Sequence, residues 1–242
     1  MSSQRVAIVT GGARRVGEAI VRGRAARGDA IVLHHGNSPA EADALAEALR
    51  AQGTSVHVVQ ADLAVPGAAA HIVDEAMRVY GRLDIVISSA SVMGAHEFES
   101  VTDAEWQLAE AVNLRAPFFL MQAAARVMTT GGVIIQMSDH LAFETIFPHL
   151  IPHQVTKAAV TQLVKTLASA LAPRLRVNAV APGLVLPPEG FTERMRESFL
   201  ADVPLAREGT TDDVVQAIEF LIEAPYVTGV VLEVDGGRHL RR

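Results

Sequence analysis

The sequence predicts an α/β fold: one doubly wound parallel sheet of about seven strands with helices on both faces. Three observations carry this. Short β-branched runs alternate with longer Ala-rich amphipathic runs along the whole chain. The short runs are apolar almost without interruption, as in strands covered on both faces. A Gly-rich turn, Thr10-Gly11-Gly12-Ala13-Arg14-Arg15-Val16-Gly17, joins the first strand to the first helix.

Taken in order, strands are expected at 5–10, 30–35, 55–60, 85–88, 133–137, 176–180 and 230–234, with helices between them. The first helix is expected over 18–27. The second opens at Ser38-Pro39-Ala40-Glu41, which reads as an N-cap, a proline in the first turn and a capping box. Thr102-Asp103-Ala104-Glu105 opens another helix in the same way. A long Ala-rich helix follows Pro152 and runs to about Leu171.

No Pro/Ser-rich linker, charge block or low-complexity tract divides the 242 residues, so residues 1–242 are expected to form a single domain. No apolar run reaches the roughly 18 residues needed to cross a bilayer. The first five residues lead straight into a strand without a signal segment, so a cytoplasmic protein with no membrane partner is expected. The absence of cysteine removes disulfides, thiolate nucleophiles and Cys-ligated zinc, and no metal site is expected. A formal charge of −6 argues against a nucleic-acid partner.

The turn at residues 10–17 points to a phosphate-bearing ligand. Its glycines let the backbone turn tightly and approach a pyrophosphate, and the following helix offers free N–H groups and a positive dipole end. This is a Rossmann-type dinucleotide site, with Gly11, Val16 and Gly17 as its backbone contacts. Sheets of this kind bind ligands beyond the carboxyl ends of their strands, so residues just after strands are the next candidates.

After the second strand, His35, Asn37 and Ser38 stand where an NAD site usually carries an acid, and no acid occurs before Glu41. Arg14 and Arg15 lie in the turn. An acid-free pocket beside two guanidinium groups suits a 2′-phosphate and favours NADP(H) over NAD(H). The alternative is that both arginines are solvated surface charges and that His34 or His35 is a packed core histidine. After the third strand, Asp62 is either an adenine contact or an Asx turn, with Leu63 beside it. After the fourth come the small residues Ser89, Ala90 and Ser91, and after the fifth the polar cluster Ser138-Asp139-His140. His153 and Lys157 are four apart and share one helix face, a reasonable acid/base unit.

In this order, the features resemble those of the short-chain dehydrogenase/reductase family over essentially the full length. Residues 10–17 look like its cofactor turn, Thr-Gly-x-x-x-Gly-x-Gly, with Arg15 at the second glycine position. Asn113 in Asn113-Leu114-Arg115-Ala116-Pro117 matches its helix asparagine. Pro182 and Gly183, ending Arg176-Val177-Asn178-Ala179-Val180-Ala181-Pro182-Gly183, match its loop over the nicotinamide. Val234-Asp235-Gly236-Gly237 matches its C-terminal signature. Within the family the chain is similar to the pteridine reductases. It shares with them Arg15, the sequence after Asn113, Asp139 in place of the usual catalytic serine, and the Pro-rich segment 182–190.

The resemblance implies an NADPH-dependent reductase of a pterin-like or other carbonyl or imine substrate, active as a homo-oligomer, a tetramer or dimer. It implies that Asn113, Asp139, His153 and Lys157 are catalytic. Lys157 would also contact the cofactor, and residues 184–200 would border the substrate. The contrasting readings are a redox-inactive nucleotide sensor or partner subunit and a lyase or isomerase on the same scaffold. They arise from one departure. The family's acid is a tyrosine four residues before the lysine, and here that residue is His153. Asp139 and His153 are also one position further apart than the family pattern. Tyrosine has a pKa near 10 that a lysine cation lowers, whereas the same cation disfavours a charged imidazole with its ordinary value near 6.5. A reductase using His153 as donor is therefore expected to favour acidic pH. Asp139 or a water held by Lys157 are the other proton sources.

Overall fold

The computed structural model describes residues 4–144, 147–187 and 190–241. Fifteen regular elements follow one another among them: β1 Val6–Thr10, α1 Arg15–Ala26, β2 Ala30–His35, α2 Pro39–Ala51, β3 Val56–Gln60, α3 Ala68–Tyr80, β4 Ile85–Ser88, α4 Asp103–Glu110, α5 Ala116–Val127, β5 Gly132–Met137, α6 Ile151–Leu171, β6 Leu175–Pro182, α7 Glu193–Leu200, α8 Thr211–Glu223 and β7 Val231–Val234. The strands form one sheet in the order β3-β2-β1-β4-β5-β6-β7, and every pairing is parallel. The expected fold class is the one found.

Alternation along the strands divides the core into two layers. Val6 and Ile8 of β1 face the layer built with Ile72 of α3, Leu120 of α5 and Val164 of α6. Ala7 and Val9 face the layer built with Ile20 of α1, Leu45 of α2 and Ile218 of α8. Both faces are covered, which is why the strand sequences are apolar at nearly every position. Chain order reverses between β1 and β4, so the crevice opens at the carboxyl ends of those two strands. No described helix is long and apolar enough to cross a membrane.

Two details differ from expectation. β6 runs on to Pro182, two residues beyond the expected end, and places Pro182 at the strand's tip. The capping box at Ser38 does not form. Ser38 caps nothing with its side chain; its N–H donates to His35 Nδ1 at 3.3 Å, and Glu41 pairs with Arg14 at 3.6 Å. A tertiary contact outcompetes the local one there. The box at Thr102 does form: Glu105 N–H donates to Thr102 Oγ1 at 3.3 Å and Thr102 N–H to Glu105 at 2.8 Å.

Between α4 and α5 the helix widens into a single π-helical turn, Ala111–Arg115. Such turns are rare and concentrate at functional sites. Asn113 sits at the centre of this one.

Candidate active site

A cleft of about 630 Å³ lies at the crevice between β1 and β4. Its wall contains most of the expected contacts: Gly11, Arg14, Arg15, Val16 and Gly17 from the turn, His35, Asn37 and Ser38 after β2, Asp62 and Leu63 after β3, and Ser89, Ala90 and Ser91 after β4. Lys157, Pro182 and Gly183, expected among them, are not part of this wall. Each is bonded to other partners. Lys157 Nζ donates to Met137 O at 2.9 Å, Pro182 O faces His140 Nδ1 at 3.1 Å, and Gly183 N–H pairs with Val234 O at 3.0 Å.

The turn is tight for a steric reason. A Cβ on Gly17 would lie 2.0 Å from Gly11 O, and one on Gly11 would lie 2.9 Å from Ala90 Cα. Neither position admits a side chain. Arg15, at the position of the motif's second glycine, has φ +55°, in the left-handed region that glycine favours. Its guanidinium compensates by donating to the carbonyls of Leu186 and Pro187 across the mouth of the cleft. No side-chain hydrogen bond caps α1, so its first turn is open to an anion. Thr10 is a contact that sequence reasoning missed. Its buried Oγ1 accepts the N–H groups of Ser89 at 3.0 Å and Ala90 at 3.2 Å, fixing the loop after β4.

Two histidines end β2. His34 is a core residue: its Nδ1 accepts the Gly11 N–H at 3.2 Å and its Nε2 faces Ala61 O at 2.9 Å. Burial lowers its pKa to about 4, and the ring is neutral. His35 is buried as well, its Nδ1 accepting the Ser38 N–H at 3.3 Å, and both rings border the cleft. Asp62 makes the Asx turn, accepting the Ala64 N–H at 2.9 Å.

Asp139, His153, Lys157 and Asn113 come from three elements and are brought together. Asp139 follows β5, Asn113 lies in the π-turn, and His153 and Lys157 lie in the first two turns of α6. His153 Nε2 stands 3.1 Å from Asp139 Oδ2, and its Nδ1 stands 3.1 Å from Val92 O. The His153 side chain is 4% exposed, whereas that of Asp139 is 24% exposed. Both ring nitrogens thus face acceptors, and the ring is fully satisfied only when both carry protons. Burial alone would push the Asp139 carboxyl up, but hydrogen bonds from His140 and His153 outweigh it and hold the group well below the usual carboxylate range. Burial lowers the Lys157 pKa to about 8, with Asp139 opposing the shift.

Asn113, expected among the catalytic residues, is buried and fully bonded within the protein. Its Oδ1 accepts from Val92 N at 2.8 Å and Ser91 Oγ at 3.0 Å; its Nδ2 donates to Val92 O at 2.9 Å and Thr156 Oγ1 at 3.2 Å. It therefore fixes the Val92 carbonyl that meets His153. Ser138 is structural, bonded to Thr161 at 2.7 Å and buried. Neither tyrosine reaches the site. Tyr80 closes α3 and bonds Ser55 and Ile31 O at the opposite end of the strands, and Tyr226 is fully exposed. Among the described residues, Glu233, Asp235 and His239 gather ligand-type atoms within 4.8 Å, but Asp235 there accepts the N–H groups of Gly237 and His239.

Comparison with known proteins agrees with the fold. The family profile described as Enoyl-(Acyl carrier protein) reductase matches residues 11–239. An uncharacterised oxidoreductase of Methylorubrum extorquens is 34% identical, over 96% of this chain and 97% of that one. Versicolorin reductase 1 of Aspergillus parasiticus is 33% identical, over 96% and 95%. The crystal structure of a blue fluorescent protein from a metagenomic library, in complex with NADPH, superposes with a TM-score of 0.91 at 33% identity, covering 97% of each chain.

Proposed function

The chain belongs to the short-chain dehydrogenase/reductase family, and from that premise we propose that it is an NADPH-dependent reductase in which Asp139 and His153 replace the family's tyrosine. The substrate class we assign is a pterin-like ring or another conjugated carbonyl or imine. The observation that carries the reading is the pairing of His153 with Asp139, with His153 tied through the Val92 carbonyl to the wall of the cleft. The bound cofactor supplies hydride.

The residues present fit that cofactor. Gly11 and Gly17 leave the backbone bare where a pyrophosphate must approach, and the open first turn of α1 supplies N–H donors. At the adenosine end, Arg14 lines the same wall as His35, Asn37 and Ser38, and the acid nearest in sequence, Glu41, is turned onto Arg14. A 2′-phosphate meets a guanidinium there and no free carboxylate. Lys157 and the Pro182-Gly183 tip are assigned to the nicotinamide end.

The chemistry at Asp139 and His153 follows from burial and donors. Asp139 is the more exposed member of its pair, so it meets the substrate, and the buried His153 behind it stores a proton at Nε2. Asn113 holds the Val92 carbonyl that keeps the opposite ring nitrogen, Nδ1, protonated. Protonation of the reduced product then runs from His153 Nε2 through Asp139 Oδ2. A ring or imine nitrogen takes up a proton from such a carboxylate relay more readily than a plain ketone does, because nitrogen is the stronger base.

We treat residues 1–242 as one functional unit, with 184–200 bordering the substrate; Pro188 and Glu189 lie outside the described residues. A homo-oligomer, dimer or tetramer, fits the exposed apolar side chains Phe118 and Phe119 on α5 and Val155 on α6. The test is NADPH consumption with a panel of oxidised pterins, cyclic imines and ketones from pH 5 to 8. Turnover of ring-nitrogen substrates ahead of ketones supports the reading. NADPH binding without turnover of any panel member opposes it.

A further inference from the structure

Behind Asp139 the site does not end. Asp139 Oδ1, the oxygen not facing His153, stands 3.0 Å from His140 Nδ1. The same nitrogen is 3.1 Å from Pro182 O at the tip of β6. The other nitrogen of His140, Nε2, is buried with no hydrogen-bond partner among the described residues and points toward Glu144, whose Oε1 is 3.9 Å away. Glu144 is almost wholly buried and receives two bonds from Arg238, Nε at 2.9 Å and Nη2 at 3.2 Å. Arg238, also buried, donates through Nη1 to Phe199 O at 3.1 Å, and its guanidinium lies 4.1 Å from the Phe199 ring centroid. The His140 ring meets the same phenyl edge-on at 5.5 Å. Phe199 belongs to α7, the helix that ends the segment bordering the substrate.

We propose that His140, Glu144 and Arg238 are positioning residues, a buried chain of alternating charge that fixes Asp139 against His153 and couples its state to the seating of α7. This rests on Asp139 being the group that meets substrate.

The physical case is one of compensation. A buried charge without a partner costs several kcal/mol, so such groups persist only in matched sets. Asp139, His140, Glu144 and Arg238 form such a set. Each carboxylate is flanked by a cation, and the chain closes on the Phe199 ring of α7. A chain serving stability alone has no need to begin on the active-site carboxylate, and one apolar pair in place of Glu144 and Arg238 would fill the space at lower cost. The unpartnered His140 Nε2 is the strongest sign. It faces a carboxylate that Arg238 holds just beyond hydrogen-bond reach, so release of Arg238 when α7 shifts would let Glu144 close on His140.

The groups facing His140 are Asp139 after β5, Glu144 on its own segment, Arg238 after β7, Phe199 of α7 and the Pro182 carbonyl of β6, with His153 and Lys157 of α6 beyond Asp139. Burial pulls the imidazolium down, but Asp139 and Glu144 outweigh it, and His140 keeps its proton above the ordinary histidine value.

The experiment is a histidine ¹⁵N NMR titration of the full-length protein in four forms: wild type, Glu144→Gln, Arg238→Met and the double variant. It needs neither cofactor nor substrate, so it stands even if the reductase reading fails, and a calorimetric NADPH titration of each form tests that reading separately. Glu144→Gln should release the His140 proton at lower pH than wild type, and Arg238→Met should hold it to higher pH. The double variant, with no bare charge left, should recover the thermal stability lost in the singles. Turnover should fall about ten- to a hundred-fold in all three, as expected for a misplaced catalytic group, with NADPH affinity unchanged. If His140 titrates alike in all four forms, or the double variant regains turnover along with stability, the chain is structural and the proposal fails.

Discussion

At the scale of single residues, His153 is the feature that the rest of the site explains. A histidine alone in that position has two nitrogens and no assigned partner. Here the Val92 carbonyl and the Asp139 carboxylate take both, and His140 braces the carboxylate from behind. Lys157 gives the sharpest prediction at this scale. Its ammonium is buried with a pKa of about 8, so it is charged below that pH and neutral above it. If its charge is needed, kcat/KM is steady at neutral pH and falls as pH rises through about 8. A Lys157→Met variant should be slow throughout and lose that limb. A wild-type profile flat to pH 10 would show that the charge has no part in the reaction.

At the scale of elements, the turn between β1 and α1 was legible in the sequence because its requirements are backbone requirements that only particular residues meet. Gly17 is the clearest case. A methyl group there would overlap Gly11 O at 2.0 Å, which the backbone can relieve only by opening the turn. Gly17→Ala should cost about 1–3 kcal/mol, as overpacked sites do, lowering Tm by about 2–4 °C per kcal/mol in a chain of this size. It should also weaken NADPH binding far more than it weakens folding; equal NADPH affinity in the variant would remove the turn from the site. The strands were legible for the same kind of reason, since burial on both faces leaves a mark at every position. Helix starts were only half legible. Ser38-Pro39-Ala40-Glu41 and Thr102-Asp103-Ala104-Glu105 carry the same local signature, yet only Thr102 caps its helix, because the Ser38 N–H and Glu41 are claimed by His35 and Arg14. The chain from Asp139 to Arg238 was not legible at all. Its members Glu144 and Arg238 are 94 positions apart, and the Val92 carbonyl has no side-chain signal to read.

At the scale of the whole molecule, the buried titrating groups set how stability depends on pH. His34 is neutral when folded, with a pKa of about 4, and takes a proton near pH 6.5 when unfolded. Between these values the unfolded chain binds more protons, so stability falls as pH drops from about 6.5 to about 4, by on the order of 3 kcal/mol. His140 works in the opposite sense. Its raised pKa adds stability that is full below about 6.5 and is lost as pH rises through its folded value. Asp139 contributes above the ordinary carboxylate range and gives up its share only in strong acid. Denaturant titrations across this range should therefore show an acid-side loss that His34→Gln reduces. An unchanged slope in that variant would mean that other groups carry the loss.

The same whole-molecule view joins the open first turn of α1, the guanidinium of Arg14 and the bare glycines into one claim, that the crevice between β1 and β4 takes NADPH. Calorimetric titration of the purified protein with NADPH and, separately, with NADH tests this most directly. Tight NADPH binding is expected, with NADH weaker by about ten-fold or more, the worth of a charge-assisted bond to the 2′-phosphate. Equal affinity for both would contradict the role of Arg14, and no binding of either would contradict the assignment of the cleft itself.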